Sequence, residues 1–447
     1  MSIPDYWRWF PQSRFGMFIH WGPYSIYGRG EQVLFREHLD QAEYSRAACR
    51  WNPAHYDPSA WAQVAREAGM RYAVLTTRHH DGFCLWDSKV TDYTAASQAC
   101  GRDLVAEYAQ AFREEGLRVG LYYSLADWRV PAYWEGPQHD AEGWARFRDY
   151  VHHQVRELLS NYGQIDVIWF DGAWPHSATA WRSRALINTI RALQPHILIN
   201  NRLGTPDPDE APSDAADGGM GAGESGELGD FGTPEHHITA DPNRLWESCQ
   251  VPNWRLWGYT IGERWRSADL LLDFLVEAAQ KGGNLLLNVG PQPDGQLPPQ
   301  FIERMDAIGQ WLRVHEECVR EVEPGEVCEF ITYGHQTRKG NNLYLIVRFW
   351  DGRGEIHLAG LGVPVRKATL LTTGQVCPFT QTEDHLVIGG LPAERPTELF
   401  PVIKLECDGP PKPREWAADR LWSGDPRRMT TWARARGDSV WADGQPR

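Results

Sequence analysis

The sequence predicts an α/β fold, a (β/α)8-like TIM barrel followed by a small antiparallel β-sandwich domain. Short apolar runs alternate with longer amphipathic stretches from about residue 14 to residue 290, which is typical of parallel strands joined by helical crossovers. At least five such units precede further strand candidates, and this number favours a closed barrel over an open sheet. From about residue 325 the pattern changes to period-two strands, which predicts the sandwich.

The elements of the barrel are predicted in chain order from apolar runs and from helix end signals. Short apolar runs predict strands over 15–21, 71–77, 118–124, 166–170, 196–201 and 284–291. Amphipathic stretches predict helices over 57–69, 101–116, 143–163, 178–195, 267–282 and 298–317. The helix over 57–69 has Asp57 as its cap, Pro58 at its first position and Gly69 at its end, the residue types that favour those positions.

The remaining chain divides into three further regions. The stretch 205–232 is acidic and rich in Gly, Pro and Ser, so it predicts a long mobile loop inserted between barrel elements. After the closing helix, the runs "NLYLIVRFW", "GEIHLAG", "KATLLTT", "HLVIGG" and "PVIKLEC" alternate with turn residues. The predicted domains are therefore a catalytic barrel over 1–322, a β-sandwich over 323–407 and a polar tail or linker over 408–447.

Composition narrows the class of protein. The formal net charge is -14, which disfavours nucleic acid and anionic membrane surfaces as partners. No stretch approaches the roughly 20 apolar residues of a membrane span. The first residues lack a basic segment followed by an apolar run, and the eight cysteines show no CxxC pair. We therefore expect buried thiols in a reducing compartment and a cytoplasmic location.

Polar and aromatic side chains follow successive predicted strands. Because the carboxyl ends of the strands build the active site of a parallel barrel, these residues are expected to converge. They are His20, His79, His80, Tyr122, Trp169, Asp171, Asn200, Asn201 and Arg202. Hydrogen-bonding and aromatic groups without a phosphate loop or a nucleotide fingerprint suggest a neutral polar ligand such as a sugar, and the 22 tryptophans suit stacking on sugar faces.

Each of these residues also has a structural interpretation. A histidine after a strand is more often a structural hydrogen-bonding group than a catalyst, Asp171 could cap the next helix, and Arg202 could be a surface charge. The pair His79 and His80 could bind a metal, but no further His or Cys stands at ligand spacing nearby. The joint pattern at five strand ends favours a functional site without metal.

Five segments of the chain resemble the α-L-fucosidases of glycoside hydrolase family 29. They are "RFGMFIHWGPYS", "LTTRHHDGFCLWDSK", "RDLVAEYAQAFREEGLRVGLYYSLADW", "DVIWFDGAW" and "KGGNLLLNVGPQPDG". The match is collinear over roughly residues 10 to 320. The resemblance implies a barrel with a following β-sandwich, a retaining exo-glycosidase that needs no cofactor, and a fucosylated oligosaccharide or glycoconjugate as substrate.

The resemblance also implies roles for individual residues. Asp171 matches the nucleophile. Contacts with sugar hydroxyl groups are implied for His20, His79, His80 and Arg202. The residues implied to line the pocket and shelter the C5 methyl group of fucose are Phe18, Tyr122, Trp169 and Trp257. "GDFGTPE" (229–235) resembles the segment that carries the proton donor, which selects Glu235. Glu247 matches a family position associated with the structure of the site and stays open as the alternative acid, after the glutamates 210, 224 and 227 are set aside.

One segment departs from the family pattern. Residues 30–44 resemble the "EWVMFRE" segment of the branch associated with α-1,3/1,4 linkages, but Gln32 stands where that branch has Trp, next to Glu31. This leaves the implied substrate contacts of Glu31 and its loop open. Two rival functions also stay open: a glycosidase for a related sugar such as an α-L-galactoside, and a non-catalytic fucose-binding relative. The apolar pocket residues argue against the first, and the intact pair Asp171 and Glu235 against the second.

Overall fold

The chain forms two compact units, Met1–Glu316 and Glu317–Arg447. The computed structural model describes residues 3–206, 228–325, 327–328, 331–383, 385–414, 441–442 and 445–446. The division lies a few residues before the boundary at 322 that the sequence predicts. Most of the loop predicted over 205–232, including glutamates 210, 224 and 227, and most of the tail over 408–447 lie outside the described residues.

The first unit contains a barrel of eight parallel strands, as the sequence predicts. The strands are β1 Phe15–Ile19, β2 Tyr72–Arg78, β3 Arg118–Ser124, β4 Val167–Asp171, β5 Leu198–Ile199, β6 Phe231–Gly232, β7 Leu245–Gln250 and β8 Asn284–Val289. Their order in the sheet is β5-β4-β3-β2-β1-β8-β7-β6. A parallel bridge between Asn200 and Phe231 joins the two ends of that order, which closes the barrel.

Twelve α-helices are assigned in the described part of this unit. They are α1 Trp9–Ser13, α2 Val33–Arg36, α3 Gln41–Ala48, α4 Pro58–Glu67, α5 Ala95–Gln98, α6 Leu104–Glu114, α7 Pro131–His139, α8 Ala141–Asn161, α9 Ala178–Trp181, α10 Ser183–Leu193, α11 Ala268–Gln280 and α12 Pro299–His315. Short 3-10 turns span Asp5–Trp7, Pro23–Tyr27 and Glu316–Cys318. None of the described helices is long and apolar enough to cross a bilayer.

The helix signals read from the sequence are mostly confirmed. The Asp57 carboxylate accepts hydrogen bonds from the backbone N–H groups of Ser59 and Ala60 at the start of α4, as its role of cap requires. The helix predicted over 178–195 is wrong in one respect, because the chain forms two helices there. Arg182 lies between them at φ 53°, a left-handed conformation that a continuous right-handed helix excludes.

Strands five and six are shorter than the sequence suggests. The strand predicted over 196–201 is reduced to β5 because the side chain of Asn200 replaces the backbone in the ladder. Its Oδ1 accepts from the Phe170 backbone N–H at 2.7 Å and its Nδ2 donates to the Phe170 carbonyl at 2.9 Å. β6 is only two residues long and β7 is half polar, so neither carries an apolar run that specifies a strand.

The barrel interior is filled largely by aromatic side chains. One buried cluster contains Phe10, Phe18, Tyr72, Val74, Tyr122, Val167, Trp169, Leu198, Phe231, Cys249 and Leu286. Phe18, Tyr122 and Trp169 also reach the carboxyl ends of their strands. The core therefore supports that end of the barrel with rigid, closely packed rings.

The second unit is an antiparallel sandwich of two sheets, as predicted. One sheet has the order β13-β12-β16-β10-β9 and the other β11-β15-β14. The strands are β9 Gly334–Lys339, β10 Asn342–Val347, β11 Ile356–Ala359, β12 Val365–Leu370, β13 Gln375–Cys377, β14 Phe379–Gln381, β15 His385–Ile388 and β16 Val402–Cys407. Strands β9, β13 and β14 are mostly polar. Their sequences therefore contain no apolar pattern from which a strand could be predicted.

The core of the sandwich is made by both sheets. Leu343, Leu358, Leu370 and Leu386 belong to one buried cluster. The first residues after β16 join this unit as well, because the backbone N–H of Gly362 donates to the Lys412 carbonyl at 2.8 Å. Two short strands, Trp441–Ala442 and Gln445–Pro446, pair with each other near the end of the chain.

Candidate active site

A cavity of about 710 Å³ lies at the carboxyl ends of the barrel strands. Most of the site residues predicted from the sequence line it: Phe18, His20, Glu31, His79, His80, Tyr122, Trp169, Asp171, Arg202, Glu235 and Trp257. The predicted residues Asn200, Asn201 and Glu247 do not line it. The lining residues come from β1, β3 and β4 and from the segments that follow β1, β2, β5, β6 and β7. The convergence that the strand-end rule predicts is therefore present in the structure.

Asp171 is the last residue of β4, and its side chain is only 13% exposed. Its Oδ2 accepts a hydrogen bond of 2.9 Å from the Tyr122 hydroxyl, and its Oδ1 lies 3.4 Å from Nη1 of Arg202. The chain turns directly after it at Gly172, where φ is 68°. Both carboxylate oxygens are thus held by donors in a nearly buried position.

Arg202 is a cation shared by two carboxylates. Its Nη1 lies 2.9 Å from Glu235 Oε2 in addition to its contact with Asp171. Its Nε donates to the Thr233 hydroxyl at 2.9 Å and its Nη2 to the Thr233 carbonyl at 3.0 Å. Burial alone would lower the pKa of Arg202, but Glu235 and Asp171 outweigh it and raise that pKa above its ordinary value. The guanidinium is therefore a fixed positive charge.

Glu235 lies on a short extended segment beside β7. A parallel bridge joins it to Cys249, with hydrogen bonds from His236 N–H to the Cys249 carbonyl and from Cys249 N–H to the Pro234 carbonyl of 3.1 and 3.0 Å. Its side chain is 31% exposed, more than twice the exposure of Asp171. Glu235 is thus anchored through its backbone while its carboxyl group remains open to the cavity.

His20 presents one ring nitrogen to the cavity in a defined state. Asn288 Nδ2 donates to the Trp257 carbonyl at 2.6 Å, so Asn288 Oδ1 must accept from His20 Nδ1, 2.7 Å away. Burial lowers the pKa of His20 to about 3, which leaves the ring neutral. Nε2 is then unprotonated and serves as a hydrogen-bond acceptor for a ligand hydroxyl.

His80 is fixed in the same way by Ser124. The Ser124 hydroxyl donates to the Ala126 carbonyl at 3.0 Å and accepts from His80 Nδ1 at 2.7 Å. Burial, followed by the charge of Arg78, lowers the pKa of His80 to about 3. Its unprotonated Nε2 lies 3.7 Å from Asp171 Oδ2, so one ligand hydroxyl can reach both groups.

His79 packs beside these groups without a described partner for one nitrogen. Its ring stacks on Tyr122 with centroids 5.7 Å apart and an interplanar angle of 6°. Burial lowers the pKa of His79 well below its usual range. Its buried Nδ1 has no hydrogen-bond partner among the described residues.

Glu247, the alternative acid and a residue expected at the site, does not line the cavity and so cannot contact a substrate there. Glu247 is fully buried and lies behind the cavity wall. Its Oε1 accepts from Trp169 Nε1 at 3.0 Å and its Oε2 from the Tyr72 hydroxyl at 2.5 Å. Burial raises the pKa of Glu247 to about 7, against the opposing effect of these two donors. Glu247 supports the indole of Trp169 from beneath.

Glu31 holds the segment that carries Trp257. Its Oε2 accepts from the backbone N–H groups of Trp257 and Gly258 at 3.0 and 2.9 Å. Trp257 packs against Phe18 and His20, with ring centroids 5.8 and 5.1 Å apart. Glu31 lines the cavity, but its Oε2 is occupied by the backbone of the Trp257 segment. Its described role is therefore to position the apolar side chain of Trp257.

Sequence reasoning missed several supporting residues and the aromatic rim. Asn288 follows the strand-end rule, since it lies near the end of β8, but a single amide inside an apolar run carries no distinctive signal. Ser124 and Thr233 are small polar residues that act through His80 and Arg202. The rim contains Phe35, Trp128, Trp134 and Trp174, which come from three separate loops or short helices.

No group of three or more His, Cys, Asp and Glu side chains in the described ranges is placed to hold a metal ion. The groups at the centre of the cavity are instead the carboxylates of Asp171 and Glu235, the Arg202 guanidinium between them, neutral imidazoles and aromatic rings. This set can bind hydroxyl groups, stabilise a developing positive charge and move a proton.

Comparisons with known proteins agree with this chemistry. The family described as Alpha-L-fucosidase matches residues 4–317. The tissue alpha-L-fucosidase of Bos taurus is 29% identical over 81% of this chain and 79% of its own length. The structure of alpha-L-fucosidase isoenzyme 1 from Paenibacillus thiaminolyticus is similar with a TM-score of 0.79 and 37% identity, covering 90% of this chain and 99% of that one.

A further similar structure was solved as a covalent intermediate. It is an alpha-L-fucosidase from Bacteroides thetaiotaomicron, trapped with 2-fluoro-fucosyl fluoride by means of a Glu-to-Gln mutant. The TM-score is 0.80 and the identity 28%, over 91% of this chain and 97% of that one. That protein therefore reacts through a covalent glycosyl-enzyme.

Proposed function

The chain belongs to the α-L-fucosidase family of glycoside hydrolases, and from this premise we propose that it removes terminal α-L-fucosyl residues from glycans with Asp171 as nucleophile and Glu235 as acid and base. The observation that carries the assignment is the contact of both carboxylates with one atom, Nη1 of Arg202. Asp171 Oδ1 and Glu235 Oε2 can be no farther apart than the sum of those two distances. This closeness suits the pair of carboxyl groups in a retaining glycosidase, which lie nearer to each other than those of an inverting one.

The first step replaces the glycosidic bond with an ester. A carboxylate oxygen of Asp171 attacks the anomeric carbon and forms a C1–O bond, while the bond from C1 to the departing oxygen breaks. The proton of the Glu235 carboxylic acid passes to that oxygen, so the leaving group departs as a neutral alcohol. Tyr122 and Arg202 hold the Asp171 carboxylate in place for this attack.

The second step hydrolyses the ester. Glu235, now ionised, takes a proton from water, whose oxygen attacks the anomeric carbon as the bond to Asp171 breaks. Asp171 carries no charge while it is esterified, so the cation of Arg202 then acts on Glu235 alone.

The walls of the cavity favour fucose over L-galactose. Phe18 and Trp257 form an apolar corner that suits the C5 methyl group and offers no partner for the hydroxyl that L-galactose carries there. The acceptor nitrogens of His20 and His80, together with Arg202, can bind the ring hydroxyls. An unpaired hydroxyl buried in an apolar corner costs free energy, so the α-L-galactoside should be the poorer substrate.

Action on α-1,3 and α-1,4 linkages of branched glycans is the finer part of the proposal. It rests on the similarity of residues 30–44 to one branch of the family, with Gln32 in the place of a tryptophan. A panel of fucosylated oligosaccharides with α-1,2, α-1,3, α-1,4 and α-1,6 linkages checks it. Preference for the α-1,2 or α-1,6 compounds would contradict it.

The activity itself is tested with an aryl α-L-fucoside followed by proton NMR. We expect the first-formed sugar to be α-L-fucose, since two inversions at the anomeric carbon restore its configuration. β-L-fucose as the first product would overturn the retaining mechanism, and no release of fucose would favour the non-catalytic alternative.

A further inference from the structure

Three large aromatic side chains remain exposed around the mouth of the cavity. Phe35, Trp134 and Trp174 are 49%, 51% and 42% exposed, and all three line the cavity wall. Contiguous exposed aromatic surface of this kind marks an interaction site in soluble proteins. It is continuous here with the pocket that contains the two carboxylates.

The rings form a path that leads outward from the nucleophile. His80 lies next to Asp171 and packs against Trp128, with centroids 5.0 Å apart. Trp128 packs against Phe35 at 5.2 Å, and Phe35 lies nearly parallel to Trp134 at 5.7 Å and 12°. Trp134 Nε1 donates to the Trp128 carbonyl at 3.0 Å, which fixes its indole in this path.

The direction in which the aromatic path runs determines which part of a substrate contacts it. The innermost pocket, between Phe18, Trp257 and Asp171, is filled by fucose in the proposed function. The departing oxygen must then point toward solvent, so the sugar attached to it passes along the rim. We propose that Phe35 and Trp134 form a binding site for the pyranose ring on the leaving-group side of the scissile bond, an inference that rests on the proposed function.

The chemistry of the rim matches a pyranose. Aromatic faces carry partial negative charge and attract the C–H face of a sugar ring. Gln32 and Arg36 line the same part of the wall, where Arg36 Nε donates to Gln32 Oε1 at 2.9 Å, and their remaining N–H groups can donate to ring hydroxyls. Stacking together with such donors recognises a neutral hexopyranose, such as a galactosyl or N-acetylglucosaminyl unit.

The test separates leaving-group contacts from fucose contacts by means of two substrates. α-L-Fucosyl fluoride has no sugar on its leaving-group side, whereas a fucosylated oligosaccharide that the parent cleaves has one. Phe35→Ala, Trp134→Ala and Trp134→Phe are compared with the parent, and Trp254→Ala is the matched control because Trp254 is 72% exposed and does not line the cavity. Thermal denaturation verifies that each variant is folded.

The expected result is a loss of about tenfold in kcat/KM on the oligosaccharide for each alanine variant, with the fluoride unchanged. Trp134→Phe should retain most of the activity and Trp254→Ala all of it. Equal losses on both substrates, no loss on either, or a parent that cleaves the fluoride but no oligosaccharide would each overturn the subsite. So would sedimentation showing that the parent self-associates and that Trp134→Ala abolishes this, since the rim would then bind a second copy. A parent inactive on the fluoride contradicts the proposed function instead.

Discussion

Asp171, the proposed nucleophile, is held by the Tyr122 hydroxyl and the Arg202 guanidinium. Asp171→Gly should lose nearly all turnover but remain folded, because only the attacking group is removed. Azide can enter the vacated space and attack from the same face, so we expect partial recovery with β-fucosyl azide as product. Asp171→Asn fills that space and should not be rescued. Parent-like activity in either variant, measured on an aryl fucoside, would show that another residue is the nucleophile.

Glu235 and Glu247 can be distinguished by comparing alanine variants of each on substrates with different leaving groups. The loss of activity should depend on the leaving group only in the variant that lacks the general acid. Glu235→Ala should cost about 10²–10⁴-fold on a glycan, the usual contribution of general acid catalysis, and far less in the first step on a nitrophenyl fucoside, which departs unprotonated. Glu247→Ala should slow both substrates alike, because it frees Trp169 and leaves buried donors of Trp169 and Tyr72 unpaired.

The measurement is a comparison of pre-steady-state rates for both variants on both substrates. A leaving-group dependence in Glu247→Ala and none in Glu235→Ala would exchange the two roles. If circular dichroism shows that Glu247→Ala is unfolded, Glu247→Gln takes its place in the comparison, because glutamine keeps the shape of the side chain.

The buried carboxyl of Glu247 should make stability depend on pH. Its pKa is about 7 in the folded protein against an ordinary value of 4.5, so between these pH values the folded chain holds a proton that the unfolded chain has released. Its contribution is complete below about pH 4.5 and is lost as the pH rises through about 7, a change of up to about 3 kcal/mol.

Glu247→Gln does not titrate and isolates this effect. Relative to the variant, the parent should lose stability as the pH rises from about 4.5 to above 7, in urea unfolding at several pH values. The amide costs part of the hydrogen bonding at every pH, so the slope of the difference is the diagnostic quantity. A difference that is constant across this range would contradict the assignment.

How far the sequence predicts the site depends on the position of each residue. The residues at strand ends were predictable, since the barrel geometry brings those ends together whatever the intervening loops do. Glu235 needed the family resemblance, because it lies after a two-residue strand. Ser124 ends β3, but its role was not predictable because it acts through His80 in the loop after β2. The rim aromatics were not predictable because their contacts depend on loop conformations that no local pattern encodes.

At the scale of single elements, the turn after β4 sets the position of His80. A Cβ at Gly172 would lie 2.8 Å from Ser124 Oγ and 2.9 Å from the Ala126 Cβ. Gly172→Ala should therefore displace the Ser124 hydroxyl that holds His80, and should lower both kcat/KM and the melting temperature.

Gly101→Ala is the matched control for this turn. Gly101 has φ +71°, and no described atom lies within 4 Å of the position that its Cβ would take, so its substitution costs only the roughly 1–2 kcal/mol of a left-handed alanine. Equal melting temperatures and equal activities for the two variants would show that the contact with Ser124 has no importance.

The elements themselves were predictable where burial and periodicity agree. β3 has the predicted bounds of 118–124 because all but its first residue are buried, and α6 and α8 begin near their predicted starts. β5 is shorter than predicted because the side chain of Asn200, in place of its backbone, forms the hydrogen bonds to Phe170. β9 is polar yet paired, since the strand is held by its neighbour β10.

At the scale of the whole molecule, the change in hydrophobic period separates two modes of packing. In the first unit, strands buried on both faces surround a largely aromatic core. In the second, alternating strands such as β11, with its buried and exposed residues in turn, enclose a mainly aliphatic core. Each unit therefore buries its own core, which is why the division of the chain was visible in the sequence.

The barrel is closed by few hydrogen bonds on one side. Between β5 and β6 the described chain has one bridge, Asn200 with Phe231, reinforced by Asp230, which donates its N–H to the Ile199 carbonyl at 2.7 Å and accepts the Ile199 N–H on its carboxylate at 2.8 Å. Local opening is cheapest where few backbone hydrogen bonds must break.

Amide hydrogen exchange should accordingly be faster at this seam than in the ladder of β2 and β3, and a fucose-like inhibitor that spans Arg202 and Glu235 should slow it. Slower exchange at the seam than in that ladder would contradict this expectation. The consequence is mechanical: we expect the wall that carries Glu235 to open outward and admit a substrate or release a product, while the wall that carries Asp171 stays fixed.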